Sequence, residues 1–372
     1  MADTTHPGPR LRFAVVGCGH IGQAHIRALR QLEDRAELVA VADVVPERAA
    51  AFAKDYGVDA ISCLEETLAR PDIDAVTLGT PSGLHGDQLI KALEAGKHVI
   101  VEKPLDVSVD VAKRMLEAER RSDRTAMVVS QMRYAPASQA VHNAARSGAF
   151  GNLTSGTVTM PWWRSQSYYD SGDWRGTWAM DGGGALMNQA IHVIDLFRWF
   201  LGTPVEVYAW SGQLAHERIE VEDTAVAVVR FENGALGTVH GSTAAYPGAS
   251  RRIQVHGDRG SAIMDDTRLS YFHSAGADAT DMPYGSRGEE NQAAQILPDQ
   301  HELPSRRPAA DPTDPSMTSH AVQFRDFIDA VEEARSPLVT LTEGAKTLAL
   351  IQAIYESARA GQPVKVSDPT QL

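Results

Sequence analysis

The chain has 372 residues, of which 43% are hydrophobic and 22% charged, and it carries a formal net charge of −13. This is the make-up of a soluble globular protein long enough for two domains, each with its own core. The acidic balance excludes a nucleic-acid surface, which shows as a basic patch. The opening "MADTTHPGPRLRF" has no apolar run of signal-peptide type, and no stretch reaches the ~18 apolar residues of a membrane span, so no membrane partner is expected. The only cysteines, Cys18 and Cys63, exclude a disulfide framework and fit a reduced, cytoplasmic setting.

The first third alternates strand-like and helical patterns. "RFAVVG" (12 to 17) reads as a strand, "IGQAHIRALRQL" as a helix, "AELVAVAD" (36 to 43) as a strand and "PERAAAFAKDYG" as a helix closed by Gly57. There follow the strand "AVTLGT" (75 to 80), the helix "LHGDQLIKALEAG", the strand "HVIVEK" (98 to 103), a helix from Ser108 to Arg121, and "AMVVSQM" (126 to 132). The strands lack a polar face, as in a parallel sheet covered on both sides. Residues 1–132 are therefore expected to form a doubly wound α/β Rossmann domain. Beyond them, one long helix is predicted over Gly184 to Leu201, followed by consecutive strands, with "ENG" (232 to 234) as a hairpin turn. This pattern predicts an α+β domain over 133–372 with a large, mostly antiparallel open sheet. Residues 275–315, rich in Pro, Gly and charge, are expected to be a long surface loop, and two helices near 317–335 and 342–361 end the chain.

"VVGCGHIGQAH" places Gly17, Gly19 and Gly22 in a G-x-G-x-x-G pattern between a strand and a helix. The first glycine permits a tight turn, the second lets the backbone approach a pyrophosphate, and the third lets helix and sheet pack closely. His20 and Ile21 open that helix, whose N-terminal N–H groups and positive dipole end suit phosphates. Asp43, at the end of the next strand, can accept both ribose hydroxyls and repel a 2′-phosphate, which favours NAD over NADP. An alternative role for Asp43 is to cap the helix that follows it. Further on, Glu102, Lys103 and Pro104 end a strand at the sheet edge where such folds bind ligands. A Lys103 ammonium near a nicotinamide would have a depressed pKa suited to proton exchange, and a cis Lys-Pro bond would fix the side chain. In "AMDGGGALMNQAIHVID" (179 to 195), Asn188 and His192 lie four apart and share one helix face.

These motifs, together with "TPSGLH" (80 to 85), "VEKPL" and "GGGALMNQAIHVID", resemble in their order the glucose–fructose oxidoreductase/inositol dehydrogenase/rhizopine-catabolism (Gfo/Idh/MocA) family. The glycine motif is generic, whereas Glu-Lys-Pro combined with the Asn-and-His helix is specific. The resemblance implies NAD(P)-dependent oxidation or reduction of a carbinol carbon in sugars, polyols or nucleotide-linked sugars. It implies that Lys103 and His192 are catalytic, and that Thr80, Pro81, Ser82 and His85, with Glu102, border the nicotinamide. In this reading His192 is the general base, Lys103 hydrogen-bonds the same oxygen or relays the proton, and Asn188 orients the substrate. Many members have Asp where this chain has Asn188, and Asn where it has Ser82. Asp195 either braces the imidazole or pairs elsewhere.

"PWWRSQSYYDSGDWRGTW" (161 to 178) holds four of the six tryptophans and leads into that helix. Trp163, Arg164, Tyr169, Trp174 and Arg175 are candidate substrate contacts, since indoles stack on pyranose faces and arginines hydrogen-bond hydroxyls or phosphate. The same patch also reads as core or subunit contact. Arg133 either reaches the substrate or pairs on the surface. The 13 histidines show no ligand spacing, so no metal is expected. The leading reading is a sugar or polyol dehydrogenase that forms a homodimer or homotetramer. Open beside it are an NAD-dependent glycosidase with transient ring oxidation and a non-catalytic NAD-binding regulator.

Overall fold

The computed structural model describes residues 10–276, 291–302 and 315–371, which divide into two compact units. Described residues up to Gln131, with 315–348 and 369–371, make the first; the second runs from Met132 to 302 and from Ala349 to Asp368.

The first unit is built on six strands: β1 (Leu11–Val16), β2 (Ala36–Ala42), β3 (Asp59–Ile61), β4 (Ala75–Leu78), β5 (His98–Val101) and β6 (Ala126–Val128). All pair in parallel, in the order β3-β2-β1-β4-β5-β6. Helices α1 (His20–Arg30), α2 (Pro46–Tyr56), α3 (Leu64–Ala69), α4 (His85–Glu94) and α5 (Val109–Arg121) connect them. Chain order reverses beside β1, the switch point at which such sheets bind ligands. β3 has only three residues, two of them exposed, too short for a periodic signal. Local chemistry sets the helix ends: Pro46 opens α2, Gly57 closes it in the left-handed region at φ +69°, and Ser108 caps α5.

The segment 315–348 clusters with this unit, not with the second as an unbroken 133–372 domain would require. Packing accounts for the departure. In α10 (Pro315–Glu332), Phe324, Phe327 and Ile328 join Phe13, Ile26 and Leu29 in one buried core. The fully buried Gln323 donates to the Val128 carbonyl (3.0 Å) and accepts from Ser130 N–H (3.2 Å), satisfying the backbone where β6 ends. The division falls at Leu348, inside α11 (Leu341–Ala360).

The second unit carries an eight-stranded sheet: β7 (Leu153–Pro161), β8 (Pro204–Gly212), β9 (Thr224–Phe231), β10 (Leu236–Ser242), β11 (Arg252–Gly257), β12 (Gly260–Asp265), β13 (Arg268–Ser274) and β14 (Val364–Lys365), in the order β13-β12-β11-β7-β10-β9-β8-β14. Only β7 and β10 pair in parallel. The residues expected as one α-helix divide: Ala185–Ala190 form a π-helix and Ile191–Leu201 form α8. This helix lies on the sheet through a dent made by glycines. Gly156 of β7 and Gly237 of β10 are paired residues, and a Cβ on Gly237 would come within 2.3 Å of the Phe197 ring. A Cβ on Gly241 would meet Leu186 at 2.6 Å. Every α8 residue is buried except His192, which is half-buried. Helices α6 (Pro136–Arg146) and α7 (Gln166–Tyr169) precede it. Of the expected 275–315 loop, 277–290 and 303–314 lie outside the described residues; between them, α9 (Ala293–Ile296) and a 3₁₀ turn (Pro298–Glu302) fold against β13.

Candidate active site

Each glycine of the nucleotide loop has its own geometric reason. Gly17 sits at φ +101°, and a Cβ there would lie 2.6 Å from the Gly79 carbonyl; a Cβ on Gly22 would lie 2.0 Å from the Gly17 carbonyl. Both are close backbone approaches. Gly19 differs: a Cβ there meets nothing within 4 Å. Protein packing does not require glycine at 19, but a phosphate approaching the α1 N-terminus does. Gly19 is also the N-cap, no side chain caps the helix, and the first turn has no acid, so its N–H groups stay available. His20 is exposed, and Ile21 is half-buried with its Cγ2 where a Gly79 side chain would stand. Asp43 accepts from Cys18 N–H (2.8 Å) and Val45 N–H (2.9 Å), joining the glycine loop to its own. The N-cap of α2 is Val45, so Asp43 is not that helix's cap. Each Asp43 oxygen retains a lone pair for a ribose hydroxyl. These residues fit a dinucleotide.

At the end of β5 the Lys103–Pro104 peptide is cis. Glu102 is buried; its Oε1 accepts from His25 Nε2 (3.1 Å) and its Oε2 from the Lys103 N–H (2.9 Å). Burial alone would raise this carboxyl, but the His25 hydrogen bond and the His25, His320 and Lys103 charges outweigh it, taking it down to about 2. Glu102 therefore holds the turn from inside, with both carboxylate oxygens taking protein hydrogen bonds. His25, Glu102 and His320 place ligand-type atoms within 4.8 Å of one another, a gathering invisible to sequence spacing. The 3.1 Å separation of His25 and Glu102 is that of a hydrogen bond. His85 is buried too, with Nδ1 2.8 Å from the Pro104 carbonyl and Nε2 3.0 Å from the Thr80 carbonyl, and burial lowers its pKa. It ties the 80-loop to the Lys-Pro turn. Ser82 is buried too, while Thr80 and Pro81 remain half-buried, with Thr80 Oγ1 donating to Gln88 (2.6 Å).

The second unit presents a network around Asn188. Its Nδ2 donates to the buried Asp181, and its Oδ1 accepts from Gln189 Nε2 (2.8 Å). Gln189 Nε2 also reaches Tyr168 Oη (2.8 Å), which receives Arg175 Nη1 (2.8 Å). Arg164 Nη2 donates to Gln189 Oε1 (2.9 Å), and its guanidinium lies 5.2 Å from the Tyr168 ring centre. Arg175 lies 4.5 Å from the Tyr168 and Trp174 rings. Burial raises the Tyr168 pKa against the opposing Arg175 and Arg164 charges, which keeps the phenol protonated. Behind the helix start, the buried Glu222 accepts from Gly184 N–H (2.9 Å), Leu186 N–H (2.8 Å) and Tyr355 Oη (2.9 Å).

Of the expected substrate contacts, Arg133 and Tyr169 are buried and Trp163 is exposed. Arg133 is 1% exposed and grips Asp195 through Nε (2.7 Å) and Nη2 (2.6 Å), so it anchors α8. Asp195 thereby pairs with Arg133. Tyr169 is buried, its hydroxyl 2.8 Å from Thr243 Oγ1. Trp163 is 36% exposed and packs edge-on against Tyr246. Reading the sequence missed Asp181, Gln189 and Glu222, and placed Tyr168 only as part of the aromatic segment that leads into the helix. Gln189 was hidden by an α-helical assumption, since neighbours at i and i+1 do not meet on an α-helix.

A dinucleotide cradle at a switch point, a lysine at the strand edge and a polar amide–imidazole helix on an open sheet define a nicotinamide-dependent oxidoreductase. Residues 11–130 match the oxidoreductase family with NAD-binding Rossmann fold, and residues 138–263 match the GFO/IDH/MocA C-terminal domain. The chain belongs to the GFO/IDH/MocA family of NAD-binding oxidoreductases. It is similar to the WlbA dehydrogenase of Bordetella pertussis, solved with NADH and UDP-GlcNAcA, at 34% identity and TM-score 0.85 over 96% of this chain and 98% of that one. Levoglucosan dehydrogenase, solved with NADH and levoglucosan, is 27% identical with TM-score 0.81 over 97% and 100% of the two chains. The scyllo-inositol 2-dehydrogenase (NAD(+)) of Bacillus subtilis is 26% identical over 96% of each. Among the described residues no helix is long and apolar enough to cross a membrane.

Proposed function

We propose that the chain oxidises a secondary hydroxyl of a sugar, sugar derivative or polyol with NAD. The observation that carries the reading is the Asn188–Gln189–Tyr168 network one helical turn before the half-buried His192. Such a set of amides and phenol matches the donors and acceptors of a polyhydroxylated ring. NAD supplies the hydride acceptor. His192 takes the hydroxyl proton, since imidazole titrates near neutrality. Lys103 donates a hydrogen bond to the reacting oxygen, and Glu102 fixes the turn that carries it. Asn188, oriented by Asp181, aligns the substrate. The acidic nucleotide sugar of the WlbA complex and the neutral levoglucosan of the other bracket the substrate class.

Self-association as a cytoplasmic homodimer or homotetramer belongs to the same proposal. Trp210, Val226, Val228 and Leu236 are exposed on β8, β9 and β10, with Trp210 paired to Val226 across the strands, and such a patch suits a second copy.

The test follows NADH absorbance with NAD and a panel of polyols, pyranoses, anhydrosugars and nucleotide sugars. Steady NADH production abolished by His192→Ala supports the reading. NAD-dependent glycoside cleavage without net NADH would sink it in favour of transient oxidation.

A further inference from the structure

Most partly buried arginines of this acid-rich chain have carboxylate partners: Arg12 with Asp74, Arg35 with Asp329, Arg133 with Asp195, Arg251 with Asp266. Among the described residues Arg164 and Arg175 have none. Arg164 is half-buried; its hydrogen bonds go to Gln189 Oε1 (2.9 Å) and the Trp163 carbonyl (3.5 Å), and its buried Nε has no partner. Arg175, also half-buried, donates to Tyr168 Oη (2.8 Å). Both guanidiniums face the Tyr168 ring, at 5.2 and 4.5 Å, and Trp162 and Trp174 flank them at 4.9 and 4.5 Å. The buried carboxylate close by, Asp181, holds Asn188 and the Gly176 N–H.

Two partly desolvated cations around one neutral phenol repel each other, and aromatic faces offset only part of the lost hydration. Neutral hydroxyls would leave that charge uncompensated. An anionic group would accept the forked N–H donors that the protein leaves open and relieve the repulsion. Through Gln189 the pair is joined to Asn188, so an anion bound here belongs to the substrate whose hydroxyl reacts.

We infer that Arg164 and Arg175 form an anion-binding pair and that the sugar taken by this site carries a carboxylate or phosphate group. This rests on the sugar-dehydrogenase reading and narrows it. A uronate brings its carboxylate on the ring; a sugar phosphate or nucleotide sugar brings its charge at the ester. Carboxylate and phosphate both offer a pair of oxygens to the planar guanidinium fork, which is why the pair specifies charge before it specifies the bearer.

The experiment uses the full-length protein loaded with NADH and compounds that differ in charge: glucuronate with glucose, galacturonate with galactose, glucose 1-phosphate with methyl glucoside, UDP-glucuronate with UDP-glucose. Thermal shift gives Kd without turnover, and NADH formation with NAD is followed separately. The acidic member of at least one pair should bind about 10–100-fold tighter. That advantage should shrink in Arg164→Gln and in Arg175→Gln, and should fall with added salt. The uronate arm assigns a carboxylate, the phosphate arm an ester. Equal binding within every pair, no shift from any acidic member, or an acid preference that both variants retain would overturn the inference. If a variant does not fold, wild-type discrimination and its salt dependence decide. Tight acid binding with no NADH from any compound would instead leave the inference standing and remove the dehydrogenase reading.

Discussion

Glu222 offers a direct test of what holds the reacting helix. Burial pushes its carboxyl up to about 7 from the usual 4.5, against the lowering effect of hydrogen bonds from Leu186 N–H, Gly184 N–H and Tyr355. The folded state thus holds a proton that the unfolded chain releases. Stability from this group is full below pH 4.5 and is lost progressively as pH rises through about 7, because the folded state binds more protons across that window. At 1.36 kcal/mol per pH unit the loss approaches ~3 kcal/mol. Glu222→Gln removes the titration; its amide cannot accept as the second oxygen does, so the variant starts about 1–3 kcal/mol lower, but at a level independent of pH. Urea unfolding at pH 5 and pH 7.5 tests this, read by tryptophan fluorescence because all six tryptophans lie in the second unit. Wild type should lose ~2.4 kcal/mol more than Glu222→Gln between the two pH values. Parallel stability curves would refute the reasoning.

Asp195→Asn leaves Arg133 buried without its two-pronged partner and should cost about 3–5 kcal/mol in urea unfolding, whereas Arg133→Met with Asp195→Leu should recover most of that loss. Losses that add in the double variant would contradict an ion pair. Gly19→Val places its side chain in open space, so the melting temperature should hold while NADH affinity falls about tenfold or more by fluorescence titration; unchanged affinity would remove the phosphate cradle. Asp43→Ala should weaken NAD and narrow its preference over NADP, and a Kd ratio equal to that of wild type would dismiss Asp43 as the ribose acceptor. Val228→Asp, on the exposed face of β9, should yield monomers in sedimentation velocity; an unaltered oligomer would place the interface elsewhere.

The first unit was legible because its signals are local. A buried parallel strand is a short apolar run, and the glycine loop, Asp43 and Glu-Lys-Pro each stand where such a run stops. The antiparallel character of the second sheet followed from consecutive strands without intervening helices. What stayed hidden depends on distance in sequence or on a departure from regular geometry. Gln323 joins the first unit from 193 residues beyond Ser130, and the Pro-, Gly- and charge-rich stretch before its helix reads equally well as a loop within one domain. The π-turn over Ala185–Ala190 changes which side chains are neighbours, so an α-helical reading found Asn188 and His192 but not Gln189. Arg133 and Tyr169 looked like ligand contacts because their types suit ligands; their burial is set by Asp195 and Thr243, far away in the chain.

Five acids around the candidate site share one task. Asp43 accepts the Cys18 N–H, Glu102 the Lys103 N–H, Asp106 the N–H groups of Gly86 and Ser108, Asp181 that of Gly176, and Glu222 those of Gly184 and Leu186. Each acceptor stands beside a loop or helix start that carries a candidate reacting or binding group. Such loops expose backbone N–H groups that no ladder satisfies, and an unmade buried hydrogen bond costs ~1–3 kcal/mol. A carboxylate satisfies two or three at once and fixes the loop in a single geometry, which an apolar side chain cannot do. Part of the −13 charge is therefore interior scaffold and not solvated surface. The same arrangement explains why the pair Arg164 and Arg175 stands out: the acids near it already hold backbone, and its counter-charge has to arrive with the ligand.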